Sequence, residues 1–256
     1  RIRTKWAGRK VVFYENTGST NIQAKLLAEE GAQHGTLVVA ERQTAGRGRR
    51  GRGWQSPPGM NLYFTLLLKP DFIPDKASML TLVMALSVKE AIDQVCAIES
   101  GIKWPNDIVV NKKKVTGILT EMSLQGEYIQ HVVIGVGINV KKQEFEPELK
   151  EKATTLEDET GKKVSRALLL QRIMERFELH YGTFIQKLDL SALMDAYNAS
   201  LVNYNREVRV LEPSGEYTGT AKGINNKGEL LVQKPDGKQM VVYAGEVSVR
   251  GIYGYV

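Results

Sequence analysis

A chain of 256 residues, 42% of them hydrophobic, can bury a sizeable core as one large domain or as one large and one small. Its net charge of +6 suits anionic ligands or partners, without distinguishing a nucleotide from a nucleic acid. The single cysteine, Cys96, excludes an internal disulfide framework, and three scattered histidines (His34, His131 and His180) offer no zinc spacing.

No apolar run approaches the roughly 18 residues of a membrane helix, and no signal-peptide pattern opens the chain, so a soluble, cytoplasmic protein is expected. Val11-Val12-Phe13-Tyr14 reads as a short strand. Thr20-Asn21-Ile22-Gln23 has the spacing of a capping box in front of a helix reaching Glu30, which makes Ser19, Thr20 and Asn21 caps first and ligand-holding groups second. Thr36 to Glu41 is an apolar strand that feeds Gln43-Thr44-Ala45-Gly46-Arg47-Gly48-Arg49-Arg50-Gly51-Arg52-Gly53-Trp54, a stretch in which glycines free the backbone and guanidinium groups converge on anions. Residues 46–51 spell the dinucleotide fingerprint G-x-G-x-x-G, but that motif must open a helix, and Pro57-Pro58 follow instead. A kinase glycine loop fails as well, because no H-R-D or D-F-G partner occurs downstream.

Asn61 to Lys69 returns as a strand, and Ala77 to Cys96 has the period of a core helix. The Trp104-Pro105-Asn106-Asp107 turn interrupts two strands, and Lys112-Lys113-Lys114 marks a hairpin tip before Val115 to Glu121. Ile129 to Asn139 is an apolar strand with Gly135 and Gly137 on one face, where something must approach the backbone closely. A charged loop to about residue 162 precedes helices over 165–187 and 191–202. From residue 205 short strands near 208–211, 217–223, 230–233, 240–243 and 247–250, with turns such as Pro213-Ser214-Gly215, indicate a small β-barrel. The expected domains are 1–203 and 204–256.

Ser19-Thr20-Asn21, Gln43 through Trp54, Lys103-Trp104-Pro105-Asn106-Asp107 and Gly135-Val136-Gly137-Ile138-Asn139, with Lys114 before Val-x-Gly-Ile-Leu, together resemble the biotin protein ligases. The resemblance covers nearly the whole chain. It implies an α+β fold with a mixed sheet, like class II tRNA synthetases, and a C-terminal SH3-like barrel. The implied activity is ATP-dependent formation of biotinyl-5′-AMP and pyrophosphate, then transfer of biotin to a lysine of a biotin carboxyl carrier protein. The family's long form carries an N-terminal winged helix-turn-helix. Arg1 to Arg9 resembles at most its connector, so DNA binding is not expected.

By the same resemblance Ser19, Thr20, Asn21, Gln43 and Arg47 serve biotin's ureido end, while Gly48, Gly117, Gly135 and Gly137 leave room for its body. Arg49 and Lys114 are the catalytic basic pair about the carboxylate and α-phosphate. Arg50, Arg52, Trp54, Asn106, Asn139 and Arg250 fall to ATP, and Asp107 to Mg²⁺. A homodimer joined edge to edge through the strand at 129–139 is expected, and the glycine-arginine loop is expected to act as a mobile lid. The alternatives are a lipoate or octanoate ligase of similar fold and a basic nucleic-acid-binding module.

Overall fold

The computed structural model describes residues 2–212, 215–244, 248–251 and 255–256. Arg1, the Pro213-Ser214 part of the expected turn and Val247 of the last expected strand lie outside the described residues.

The first half of the chain builds one sheet from β1 (Val11–Thr17), β2 (Leu37–Gln43), β3 (Leu62–Leu68), β4 (Gly101–Lys103), β5 (Asp107–Val110), β6 (Lys113–Gln125) and β7 (Tyr128–Ile138). Their order is β1-β2-β3-β7-β6-β5-β4. Only β1 and β2 are parallel, because α1 (Thr20–Glu29) crosses over between them. All seven residues of β3 are buried, as expected of a strand covered on both faces. Leu62, Phe64, Leu66 and Leu68 join the main core under α2 (Met79–Cys96) and α5 (Arg166–Lys187), while Leu67 packs with Ala24 and Ala28 of α1.

Several expectations need correction. Asn111 and Lys112, both at positive φ, form the two-residue tip between β5 and β6, so Lys114 is already a strand residue rather than part of the tip. The strand at 129–139 is interior: β7 is paired with β3 and β6 on its two sides from Val132 to Ile138, which leaves no free edge there for a second copy. The charged stretch before residue 162 holds two short helices, α3 (Pro147–Lys150) and α4 (Leu156–Thr160), the latter capped by the Thr155 hydroxyl. Ser165 caps α5, and α6 (Met194–Ser200) is shorter than the 191–202 expectation.

A second sheet, β8 (Glu207–Glu212), β9 (Gly215–Ile224), β10 (Leu230–Gln233), β11 (Gln239–Val242) and β12 (Ser248–Gly251), is antiparallel in the order β11-β10-β9-β8-β12. Its Val208, Val210, Leu230 and Val232 belong to the same core as the large sheet, and Trp104 Nε1 donates to the Gly228 carbonyl at 3.0 Å. No helix among the described residues is long and apolar enough to cross a membrane.

Candidate functional site

Strand register assembles the site on the α1 face of the large sheet. Thr65, Gly135 and Leu119 form one cross-strand row, and Tyr63, Gly137, Gly117, Asp107 and Lys103 form the next. The two rows therefore carry small residues in the centre of the sheet and charged ones toward its far edge. A cavity of about 50 Å³ opens above them, lined by Ser19, Thr20, Asn21, Gln43, Arg47, Gly48, Arg49, Trp54, Asn106, Lys114, Gly117, Gly135 and Gly137.

The N-terminus of α1 supplies the polar end. Ser19 is its N-cap, but no side chain caps it, so the expected capping box does not form. Thr20 instead meets Gln43 Oε1 through both its N–H (2.9 Å) and its hydroxyl (3.1 Å), and Gln43 Nε2 donates to Ser56. Thr65 Oγ1 lies 2.8 Å from Thr20 Oγ1 and 2.6 Å from Asn21 Oδ1, and Asn21 Nδ2 donates to Glu121 at 2.7 Å. One hydroxyl carries one proton. Thr65 gives its proton to Asn21, a pure acceptor at that atom, and Thr20 has a single proton for Gln43 and Thr65, so acceptor lone pairs remain for a ligand's N–H groups.

The glycines have specific neighbours. A Cβ on Gly135 would strike the Asn21 amide, and one on Gly137 would strike the Trp54 indole, whose Cζ3 also lies 2.9 Å from the Cβ position of Gly117. The space expected for a ligand is thus shared with Trp54, which sits over the middle of the sheet rather than at a separate nucleotide end. Its buried Nε1 has no hydrogen-bond partner.

The glycine-arginine stretch forms a closed turn. Trp54 N donates to the Gly46 carbonyl at 2.9 Å, Gly48 N to the Arg52 carbonyl at 2.7 Å, and Arg47 pairs with Gly53. Gly46 is required by close approach, since a Cβ there would lie 2.5 Å from the Trp54 carbonyl oxygen. Arg49 donates to Asn106 Oδ1 at 2.8 Å, and Asn106 Nδ2 donates to the Ile118 carbonyl, so Asn106 ties the turn to β6. Burial lowers the Arg49 pKa, but a guanidinium stays charged.

Lys114 Nζ lies 2.7 Å from Asp107 Oδ1 and 5.3 Å from the centre of the Trp54 ring. The Tyr255 hydroxyl donates to Asp107 Oδ2. Desolvation favours a protonated Asp107, yet Lys114 and Lys103 outweigh it and its pKa is lowered. With one oxygen on an ammonium and the other on a phenol, this carboxylate does not fit a Mg²⁺ ligand, and the described residues contain no cluster of three metal-ligating side chains. Burial brings Lys103 down to about 8, despite Asp107.

Four other expected site residues lie outside the cavity lining. Arg50, at φ 60°, and Arg52 are exposed. Asn139 is buried and spends its amide on the Thr154 carbonyl at 3.3 Å. Arg250, on β12, acts electrostatically on Lys103 and Tyr255 without lining the cavity. Thr65, Ser56, Glu121 and Tyr255 were missed. Thr65 reads as a strand former and Tyr255 is 148 residues from its partner; only the Thr65–Gly135 register reveals the first.

Comparison with known proteins places the whole chain in a family. The biotin/lipoate A/B protein ligase family model matches residues 13–139, and the biotin protein ligase C terminal domain model matches 204–250. The bifunctional ligase/repressor BirA of Bacillus subtilis is 37% identical over 97% of this chain and 76% of its own length. The biotin--[acetyl-CoA-carboxylase] ligase of Paracoccus denitrificans is 36% identical over 92% of this chain and 98% of its own. The structure of the Aquifex aeolicus biotin protein ligase in complex with biotin and ATP is similar at a TM-score of 0.82 and 33% identity, covering 95% of this chain and 99% of that one. With its α+β sheet, its antiparallel C-terminal sheet and these relatives, the chain belongs to the biotin/lipoate A/B protein ligase family, and within it is a biotin protein ligase.

Proposed function

We propose that the chain activates biotin with ATP and passes it to a lysine of a biotin carboxyl carrier protein. The observation that carries this reading is a single cavity whose hydrogen-bonding end (Thr20, Asn21, Gln43, Thr65) faces a cationic end (Arg49, Lys114). Biotin has the matching polarity: a ureido group with two N–H donors and one carbonyl, then an apolar bicycle, then a carboxylate.

The carboxylate oxygen attacks the α-phosphorus of ATP, a P–O bond forms, and pyrophosphate leaves with the electron pair of the broken anhydride. Two anions have to meet, and Arg49 and Lys114 neutralise the charge that builds between them. Trp54, with the turn that holds it, covers the mixed anhydride from water. In the second step a neutral lysine amine of the carrier attacks the acyl carbon, AMP departs and the amide nitrogen loses one proton. Mg²⁺ enters with the triphosphate, and no side chain of this chain is assigned to it.

Lipoate offers no counterpart to the ureido group, so the donors and acceptors around Thr20 would go unpaired. The test mixes the protein with Mg-ATP and biotin or lipoate, and follows pyrophosphate release and labelling of a carrier domain. Biotin-dependent release with carrier labelling is expected; release with lipoate alone, or with neither acid, overturns the reading.

A further inference from the structure

Asp107 is the charged hub of the site. Around this buried carboxylate stand Lys103 from β4, Lys114 from β6, Arg49 from the glycine-arginine turn and, from the far end of the chain, Tyr255. Arg250 of β12 acts electrostatically on Lys103 and Tyr255, and exposed Arg52 on Tyr255. Tyr255 contributes in two ways: its hydroxyl donates to Asp107 Oδ2, and its ring lies under the Lys103 ammonium, 3.7 Å from Nζ to the ring centre. The backbone of its neighbour Val256 lies close to Gly251 at the end of β12.

We propose that Tyr255 is a positioning residue for adenylate formation: by holding one oxygen of Asp107, it leaves the other directed at Lys114 and keeps that ammonium in the cavity. The proposal rests on the reading of Lys114 as the cation of the adenylation step. A carboxylate has two equivalent oxygens, and Lys114 and Lys103 compete for both. The phenol is neutral, because burial and Asp107 itself raise its pKa well above the ordinary value, so it donates throughout the working pH range. The stack on the Tyr255 ring meanwhile gives Lys103 a second attraction away from Asp107. The site's geometry is therefore completed by a residue 148 positions away from the carboxylate in sequence.

Tyr255→Phe separates the two contacts, since it keeps the ring beneath Lys103 and removes only the donor. Losing a hydrogen bond to the ionised form raises the carboxyl pKa. Below that pKa Asp107 no longer anchors Lys114, so the acid limb of biotin-dependent pyrophosphate release moves to higher pH, by about one unit for a tenfold weaker preference for the charged form. The rate above neutrality should fall as Asp107 loses its fixed orientation toward Lys114, and the urea midpoint should drop because a buried carboxylate loses a hydrogen bond. Removing Tyr255 and Val256 together should move the limb at least as far and lower the plateau as well. An acid limb in Tyr255→Phe that coincides with wild type overturns the assignment. Undiminished pyrophosphate release in Lys114→Ala overturns instead the adenylation reading beneath it.

Discussion

Replacing Gly135 by alanine tests the site's architecture directly. The added Cβ would lie 2.8 Å from Asn21 Cγ and 3.1 Å from Nδ2, and closer still to Oδ1. Ordinary contact is about 3.5 Å or more, so the amide must swing by on the order of 1 Å. That movement breaks the 2.6 Å bond from Thr65, whose hydroxyl is 0% exposed, and loosens the 2.7 Å bond to Glu121. An unsatisfied buried hydroxyl costs about 1–3 kcal/mol, and weakening a bond to a charged partner adds about 1 kcal/mol, for a total of about 2–4 kcal/mol. In an Asn21→Ala background the atoms that collide are gone, and the same glycine replacement should cost about 0.5 kcal/mol or less. Urea unfolding of the four proteins gives the coupling directly, expected at about 1.5–3 kcal/mol. Biotin binding, measured on the same samples, should fall at least about tenfold in the single variant. Additivity within about 0.5 kcal/mol would show that Gly135 is not where the amide packs, and would refute the reasoning.

Gly46→Ala meets the Trp54 carbonyl and Ser56 Oγ, at 2.5 and 2.8 Å, so it should open the turn and speed release of bound biotinyl-5′-AMP; unchanged retention in a rapid-dilution assay would remove the turn from that role. Lys114→Ala should slow pyrophosphate release by about 10²–10³-fold, as loss of a transition-state charge partner does. It should also destabilise the fold by up to about 3 kcal/mol, because buried Asp107 loses its ion-pair partner and keeps Lys103, Arg49 and the Tyr255 hydroxyl, and a wild-type denaturation midpoint would contradict this. Burial pushes the Cys96 thiol up to about 11, so at pH 8 only about one molecule in a thousand carries the thiolate, and iodoacetamide should label it about 200-fold more slowly than in urea. Equal rates by mass spectrometry would mean that Cys96 is not the core residue described.

Much of this was legible in the sequence because its signals were local. The alternate glycines at 135 and 137 did mark a close approach, and the prolines after the glycine-arginine stretch did exclude a helix. What stayed hidden depends on register and on long-range contacts. The spacing Thr20-x-x-Gln23 matches a capping box, yet Thr20 faces Gln43 across the site, and only the parallel pairing of β1 with β2 brings those residues together. Asp107 reads as a turn carboxylate until its cross-strand partners, Gly117 and Lys103, show that it lies in the sheet among cations. Asn139 ends a motif shared with ligases, but its amide is committed to Thr154, a pairing that no spacing announces. The helices α3 and α4, four and five residues long, are too short to display a period.

The bond from Trp104 to the carbonyl of Gly228 ties the residue just before Asn106 and Asp107's turn to the tip between β9 and β10. Gly228, at φ 80°, has no room for a side chain beside Leu82 and Leu190, which belong to the large sheet's own core. The smaller sheet is accordingly one wall of the catalytic half rather than a passenger beside it. Its loss would uncover Leu82 of α2 and free the Trp104 turn in the same event.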